Sequence, residues 1–202
     1  INRKIISKIA DKVNPILARL RALTAIEVGD NFSTLDNVEV NATTIGGANI
    51  NAFVGIGQYD FTLPSTAQDS AFGLYIDSLT FGMGMFKPTI GDQAMNFTSL
   101  KLDAEGFGFV SGDLDFFTID GRDIVVDINT GKPLVQGFAP AVIDFAASFP
   151  DDGGLPVATS STGATPPVLL DFDGQPRILA SVGKATLQIS EFVYFTGSFA
   201  FE

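Results

Sequence analysis

Cysteine, histidine and tryptophan are all absent from this chain of 202 residues. Without cysteine there is no disulfide, no thiol nucleophile and no iron–sulfur cluster, and with histidine also missing the usual zinc-binding sets are excluded. Imidazole acid–base chemistry goes with them, including every Ser-His-Asp arrangement. With no Trp and only 3 Tyr, the flat and partly polar faces on which sugars stack are scarce. The 19 Phe instead offer large apolar area with no polar group to satisfy, which suits a thick packed interior. No apolar run approaches the roughly 20 residues that span a bilayer as a helix. No basic start followed by an apolar stretch and a cleavage site is present, and Ile1 stands first, so the sequence reads as a mature or excised segment. Absence of cysteine does not imply a reducing compartment, and an extracellular or cell-surface location stays open.

Basic residues are also scarce beyond the first 25 positions. Arg3, Lys4, Lys8, Lys12, Arg19 and Arg21 are half of the 12 basic residues, and Asp11 is the single acid among them. The rest of the chain is strongly acidic, and the total charge is −11. An acidic body repels nucleic-acid phosphates, so no nucleic-acid partner is expected.

What is present divides by periodicity. Ile1, Ile5, Ile9, Val13, Ile16, Leu17, Leu20 and Leu23 recur at spacings of three and four. This predicts a basic amphipathic helix over residues 1–28, kinked at Pro15, whose amide lacks a proton to donate. Its apolar face is expected to pack on a β-sheet, with membrane contact through residues 1–25 the alternative use of the same face. From residue 29 the period becomes two, predicting a single β-rich domain over 29–202: a curved antiparallel or solenoid-like sheet. An apolar pair, a polar break and a second apolar pair recur. Leu74 and Ile76 pass Asp77-Ser78 to Leu79 and Phe81; Phe117 and Ile119 pass Asp120-Gly121-Arg122-Asp123 to Ile124, Val126 and Ile128; Leu187 and Ile189 pass Ser190-Glu191 to Phe192 and Tyr194. Each break shifts the alternation, which predicts a bulge, a bend or a tight turn. The run from Ala185 to Phe201 reads as one long bent strand, and the stretch from Pro150 to Pro167 as a loop.

The segments Phe107-Gly108-Phe109-Val110, Phe117-Thr118-Ile119-Asp120-Gly121, Leu170-Asp171-Phe172-Asp173-Gly174 and the closing Gly197-Ser198-Phe199-Ala200-Phe201-Glu202 resemble repeats of giant bacterial surface or secreted proteins. The resemblance covers residues 50–202. It implies an adhesin-like, fibre-forming, non-enzymatic role with neighbouring copies or adjacent repeats as partners, and it brings no catalytic residues.

Among acidic pairs on turns, Asp171, Asp173, Asp113 and Asp115 are candidate calcium ligands, since hard oxygen donors clustered on turns suit that ion. None completes a calcium loop, and the plainer alternative is solvated carboxylates that keep strand edges from mispairing. Ser181-Val182-Gly183-Lys184 has the Ser-x-x-Lys form of penicillin-recognising enzymes but lacks their partner motifs. No catalytic residue and no cofactor other than calcium is therefore expected. The function expected is a structural or adhesive unit; the alternative is a lipid or apolar-ligand carrier with a Phe-lined β-groove.

Overall fold

The computed structural model describes residues 15–23, 32–89, 96–112, 117–132, 141–189 and 193–202. The described residues open with strand β1 (Pro15–Leu23), and the stretch read as β-rich begins with strands β2 (Phe32–Ile56), β3 (Phe72–Pro88), β4 (Phe97–Ser111) and β5 (Phe117–Gly131). There follow β6 (Ala141–Asp144), the one-turn helix α1 (Phe145–Ser148), β7 (Leu155–Val157), β8 (Val168–Leu170), β9 (Arg177–Ile189) and β10 (Val193–Phe201). The protein is mainly β, and its main sheet is antiparallel and open. That sheet has 8 strands in the order β10-β9-β5-β4-β3-β2-β1-β6, with β7 and β8 forming a separate hairpin.

The helix expected over residues 1–28 has no support in the described residues. Pro15–Leu23, the described part of it, is strand β1, paired antiparallel with β2 on one side and β6 on the other. Residues 1–14 and 24–28, including most of the basic positions, lie outside the described residues. Ile16, Ala18, Leu20 and Ala22 also alternate at a period of two, so the same segment satisfies both patterns. Backbone pairing along both edges is what a helix would forfeit, and tertiary context of this kind outweighs local propensity. Pro15 sits at the first strand position, where a missing amide proton costs no ladder bond.

The described residues gather into two compact units. One draws on Ile1–Gly46, Gly82–Lys101 and Asp127–Ile178, the other on Gly47–Phe81, Leu102–Val126 and Leu179–Glu202, so β2, β3, β4, β5 and β9 contribute to both. In the first unit Val40, Phe86, Phe97, Ala141, Ile143, Phe145, Val157, Leu170 and Phe172 form the core. The β7–β8 hairpin reaches it because glycines clear its path. A Cβ on Gly82 would stand 2.8 Å from Val168 Cβ, and one on Gly46 would collide with the carbonyl oxygen of Ala158. Leu155–Val157 thus lies within the stretch expected to be loop, a short strand whose three residues give no readable period.

The second unit has a smaller core of Ala71, Tyr75 and Val110, with Phe53 and Tyr59 packed against it. Tyr59 stacks between Phe53 and Tyr75, at centroid distances of 5.3 and 4.9 Å. The segment that brings it there, between β2 and β3, is buckled by the buried Gln68. Its Nε2 donates to the Asp60 carbonyl at 2.7 Å and its Oε1 accepts from the Asp60 amide at 2.9 Å.

The polar breaks resolve in two ways. Ser78 and Asp123 have φ of 53° and 55° inside strands that continue past them, as does Asn49 at 55°. Buried positions on β3 are odd-numbered up to Tyr75 and even-numbered from Gly82, the phase shift that a bulge produces. Beyond the other break, Ser190-Glu191, which lies outside the described residues, Val193 pairs back on Ile189, so the run from Ala185 to Phe201 holds two antiparallel strands, β9 and β10, and not one long bent strand.

Candidate functional site

On β4 the run Gly106-Phe107-Gly108-Phe109 sends glycines to one face and phenylalanines to the other, because side chains alternate along a strand. On the glycine face the missing side chains open a trough. A Cβ on Gly108 would stand 2.9 Å from Tyr75 Cε1, and one on Gly106 3.1 Å from an Arg122 Nη1. Tyr75 on β3 and Asp120 on β5 meet across it, the Tyr75 hydroxyl donating to Asp120 Oδ1. Arg122, two residues on and therefore on the same face, closes a two-pronged contact: its Nε donates to Asp120 Oδ2 at 3.1 Å and its Nη2 to Oδ1 at 3.0 Å.

This cluster sets the ionisation of its members. Burial and the hydrogen bond to Asp120 push the Tyr75 phenol well above its ordinary value of 10.0. Burial and then the Asp77 charge raise Tyr59 from the same value. For Arg122 burial works against the charge, but the hydrogen bond and charge of Asp120 outweigh it and the net shift is upward. A phenol whose folded-state pKa is raised contributes stability that is fully present below about pH 10 and is lost as pH rises through the folded value. Tyr75→Phe is accordingly expected to cost about 1–2 kcal/mol near neutral pH through the lost bond to a charged acceptor. Alkaline spectrophotometric titration should show its last-ionising phenol gone; an unchanged titration would contradict the Tyr75–Asp120 contact. Tyr75, Asp120 and Arg122 thus satisfy one another by hydrogen bonds.

Of the expected calcium ligands, Asp171 and Asp173 lie among the described residues. Asp171 is ion-paired to Lys101, whose Nζ also lies 5.4 Å from the Phe172 ring centroid. Asp173 turns inward on its own backbone, accepting from the Gln175 amide at 3.3 Å. Asp113 and Asp115 lie outside the described residues. Among the described residues no group of three or more His, Cys, Asp or Glu is arranged to hold a metal. Ser181 and Lys184 lie within β9, not at the start of a helix.

The feature that remains is apolar and exposed. In the second unit, Phe109 touches Phe72 and Phe117 on the face opposite the Tyr75 cluster, at centroid distances of 5.0 and 5.7 Å. Beside them Val54 and Ile56 are 75% and 77% exposed, and Leu74 is also exposed. On β10, Phe195, Phe199 and Phe201 share one face and are 63%, 65% and 69% exposed. β10 ends the sheet, so among the described residues no strand covers its outer edge. These exposed apolar side chains leave water against rings of a kind that is buried elsewhere in the same chain. Alternation made the strands visible from sequence, but it cannot tell a core-facing Phe from a solvent-facing one.

No family model, no curated protein and no solved structure matches this chain. Among the described residues no helix is long and apolar enough to cross a membrane.

Proposed function

We propose that this chain is a non-enzymatic structural or adhesive unit of an extracellular bacterial fibre or surface layer, whose partners are neighbouring copies of itself or adjacent repeats. The observation that carries this reading is the exposed apolar surface of the second unit together with the open edge of β10. The absence of histidine and cysteine from the sequence supports it by removing the commonest nucleophile and acid–base partnerships. So does the fate of the polar groups: Asp120 is held by Arg122 and Tyr75, and Asp171 by Lys101. Repeat arrays and fibres join folded units through surfaces that are left unburied within one unit.

Negative-stain electron microscopy of the full chain over a concentration series tests it. Periodic filaments or sheets are expected to grow with concentration. Discrete monomers throughout, arriving with bound lipid in native mass spectrometry, would replace it with the apolar-ligand carrier.

A further inference from the structure

Strand β10 reads Val193-Tyr194-Phe195-Thr196-Gly197-Ser198-Phe199-Ala200-Phe201. Taken outward from Gly197, its nearest residues match in kind on both sides, Thr196 with Ser198 and Phe195 with Phe199; further out Val193 and Phe201 are both apolar, while Tyr194 falls opposite the small Ala200. Its inner edge is paired with β9, Phe195 against Leu187 and Phe201 against Ala180. Three residues of β10, Gly197 to Phe199, lie against four of β9, Ala185 back to Val182. The extra residue is therefore in β9, and β10 keeps an uninterrupted alternation along its outer edge.

Among the described residues that edge is uncovered, and the strand itself carries no charge and no proline to stop another strand from pairing. Within Val193–Phe201 there is no Lys, Arg, Asp, Glu or Pro, although charges and prolines are the usual guards of an exposed edge. The chain as a whole carries −11, so two copies repel over most of their surface, and an uncharged strand is where that repulsion is weakest. A two-fold contact sets residue i against residue j and j against i, so a strand with like residues at mirrored positions meets its own copy ring against ring and hydroxyl against hydroxyl.

We infer that β10 is a self-pairing edge, on which two copies of the chain join antiparallel about a two-fold axis at Gly197. Phe195 of one copy then lies opposite Phe199 of the other, and Val193 opposite Phe201. These pairs put aromatic against aromatic and aromatic against β-branched residue, the combinations that stabilise neighbouring strands most. On the other face Thr196 meets Ser198 of the second copy, a hydroxyl pair. The glycine at the axis leaves room for the flanking rings to close over it: a Cβ built on Gly197 meets nothing within 4 Å. The inference rests on the reading that the chain assembles with copies of itself, and it names the contact. Such a contact closes on two copies, so a fibre adds a second contact elsewhere on the surface.

Because the chain has no cysteine, a single introduced thiol reports the register without interference. Gly197→Cys places both thiols at the axis, and the open space there accommodates the side chain. Phe195→Cys places its two copies four residues apart, about 13 Å along the strands. Mild oxidation of the full chain should yield on the order of tenfold more disulfide-linked dimer from Gly197→Cys, since bridging needs Cα atoms within about 7 Å. Thr196→Lys, at an exposed position, is expected to abolish the wild-type dimer in sedimentation while leaving the thermal midpoint unchanged. If self-association persists but Gly197→Cys links no better than Phe195→Cys, or survives Thr196→Lys intact, the β10 contact is wrong and the structural reading stands. If the wild-type chain stays monomeric at every concentration, both fall together.

Discussion

Phe145→Ala is expected to lower the free energy of unfolding by about 3–5 kcal/mol, the range for removing a fully buried aromatic ring and leaving a cavity behind. Phe145 is completely buried at the start of α1. Its ring meets Phe86 edge-on at 5.5 Å and lies 6.2 Å from Phe172 and 6.4 Å from Phe149, centroid to centroid. The backbone around it is fixed as well. The Phe145 amide donates to the Phe172 carbonyl at 2.8 Å, and Asp144 caps the helix by accepting from the Ala147 amide at 2.8 Å. With both held, the surroundings have little freedom to collapse into the void. Urea unfolding reads the effect as a lower midpoint at unchanged slope. The control is Phe201→Ala, which removes an equal ring from an exposed position and should change the stability of the monomer by less than about 0.5 kcal/mol. Equal losses for both would mean that the core is not where these contacts put it.

Asn129→Asp exchanges one nitrogen for one oxygen and should cost several kcal/mol at neutral pH, because it creates a buried charge without a counter-charge. Asn129 on β5 is almost wholly buried. Its Oδ1 accepts from Ser99 Oγ on β4 at 2.8 Å, while its Nδ2 donates to the Ile143 carbonyl at 3.0 Å and the Gln175 carbonyl at 3.2 Å. One amide thereby ties together β4, β5, β6 and the segment leading into β9. A carboxylate keeps the Ser99 bond and turns the other two into oxygen facing oxygen. Burial and these carbonyls raise the folded-state pKa of the new acid above its unfolded value of about 3.9. The folded state then holds the proton more tightly, so the penalty is small below about pH 4, grows as pH rises through the folded value, and is constant above it. Thermal melts of wild type and variant from acid to neutral pH should therefore diverge with rising pH. A difference independent of pH would show that Asn129 is not in the environment described.

How much of this was legible in the sequence depended on whether a pattern had one structural solution. The alternation of Leu100 and Leu102 about Lys101 reads as strand, and the polar breaks at Asp77-Ser78 and Asp120–Asp123 fell where the strands carry a positive φ, at Ser78 and Asp123. The positive φ at Asn49 escaped because Gly47-Ala48-Asn49-Ile50-Asn51 has too few apolar residues to show a phase. Residues 15–23 fit two periods at once, and nothing local could announce that β1 would be paired on both sides. The Tyr75–Asp120–Arg122 cluster was concealed for another reason: its members are 45 residues apart in the chain, and only the Gly-Phe-Gly-Phe run on β4 hinted at a cleared face. The ion pair of Asp171 with Lys101 could not be read from the sequence, because the two residues are distant in the chain.

The strand order has a consequence for how the chain reaches its native state. β1 finds β6 only by bringing Arg19 beside Asp144 and Ala22 beside Ala141, and β9 must return to β5 after the intervening hairpin has been laid down. Closing such large loops forfeits chain entropy well before any contact compensates it, which places the protein among slow folders. During that interval the strands lie unpaired, uncharged β10 among them. A nascent chain released early would meet its copies through the wrong edges before its own sheet is complete.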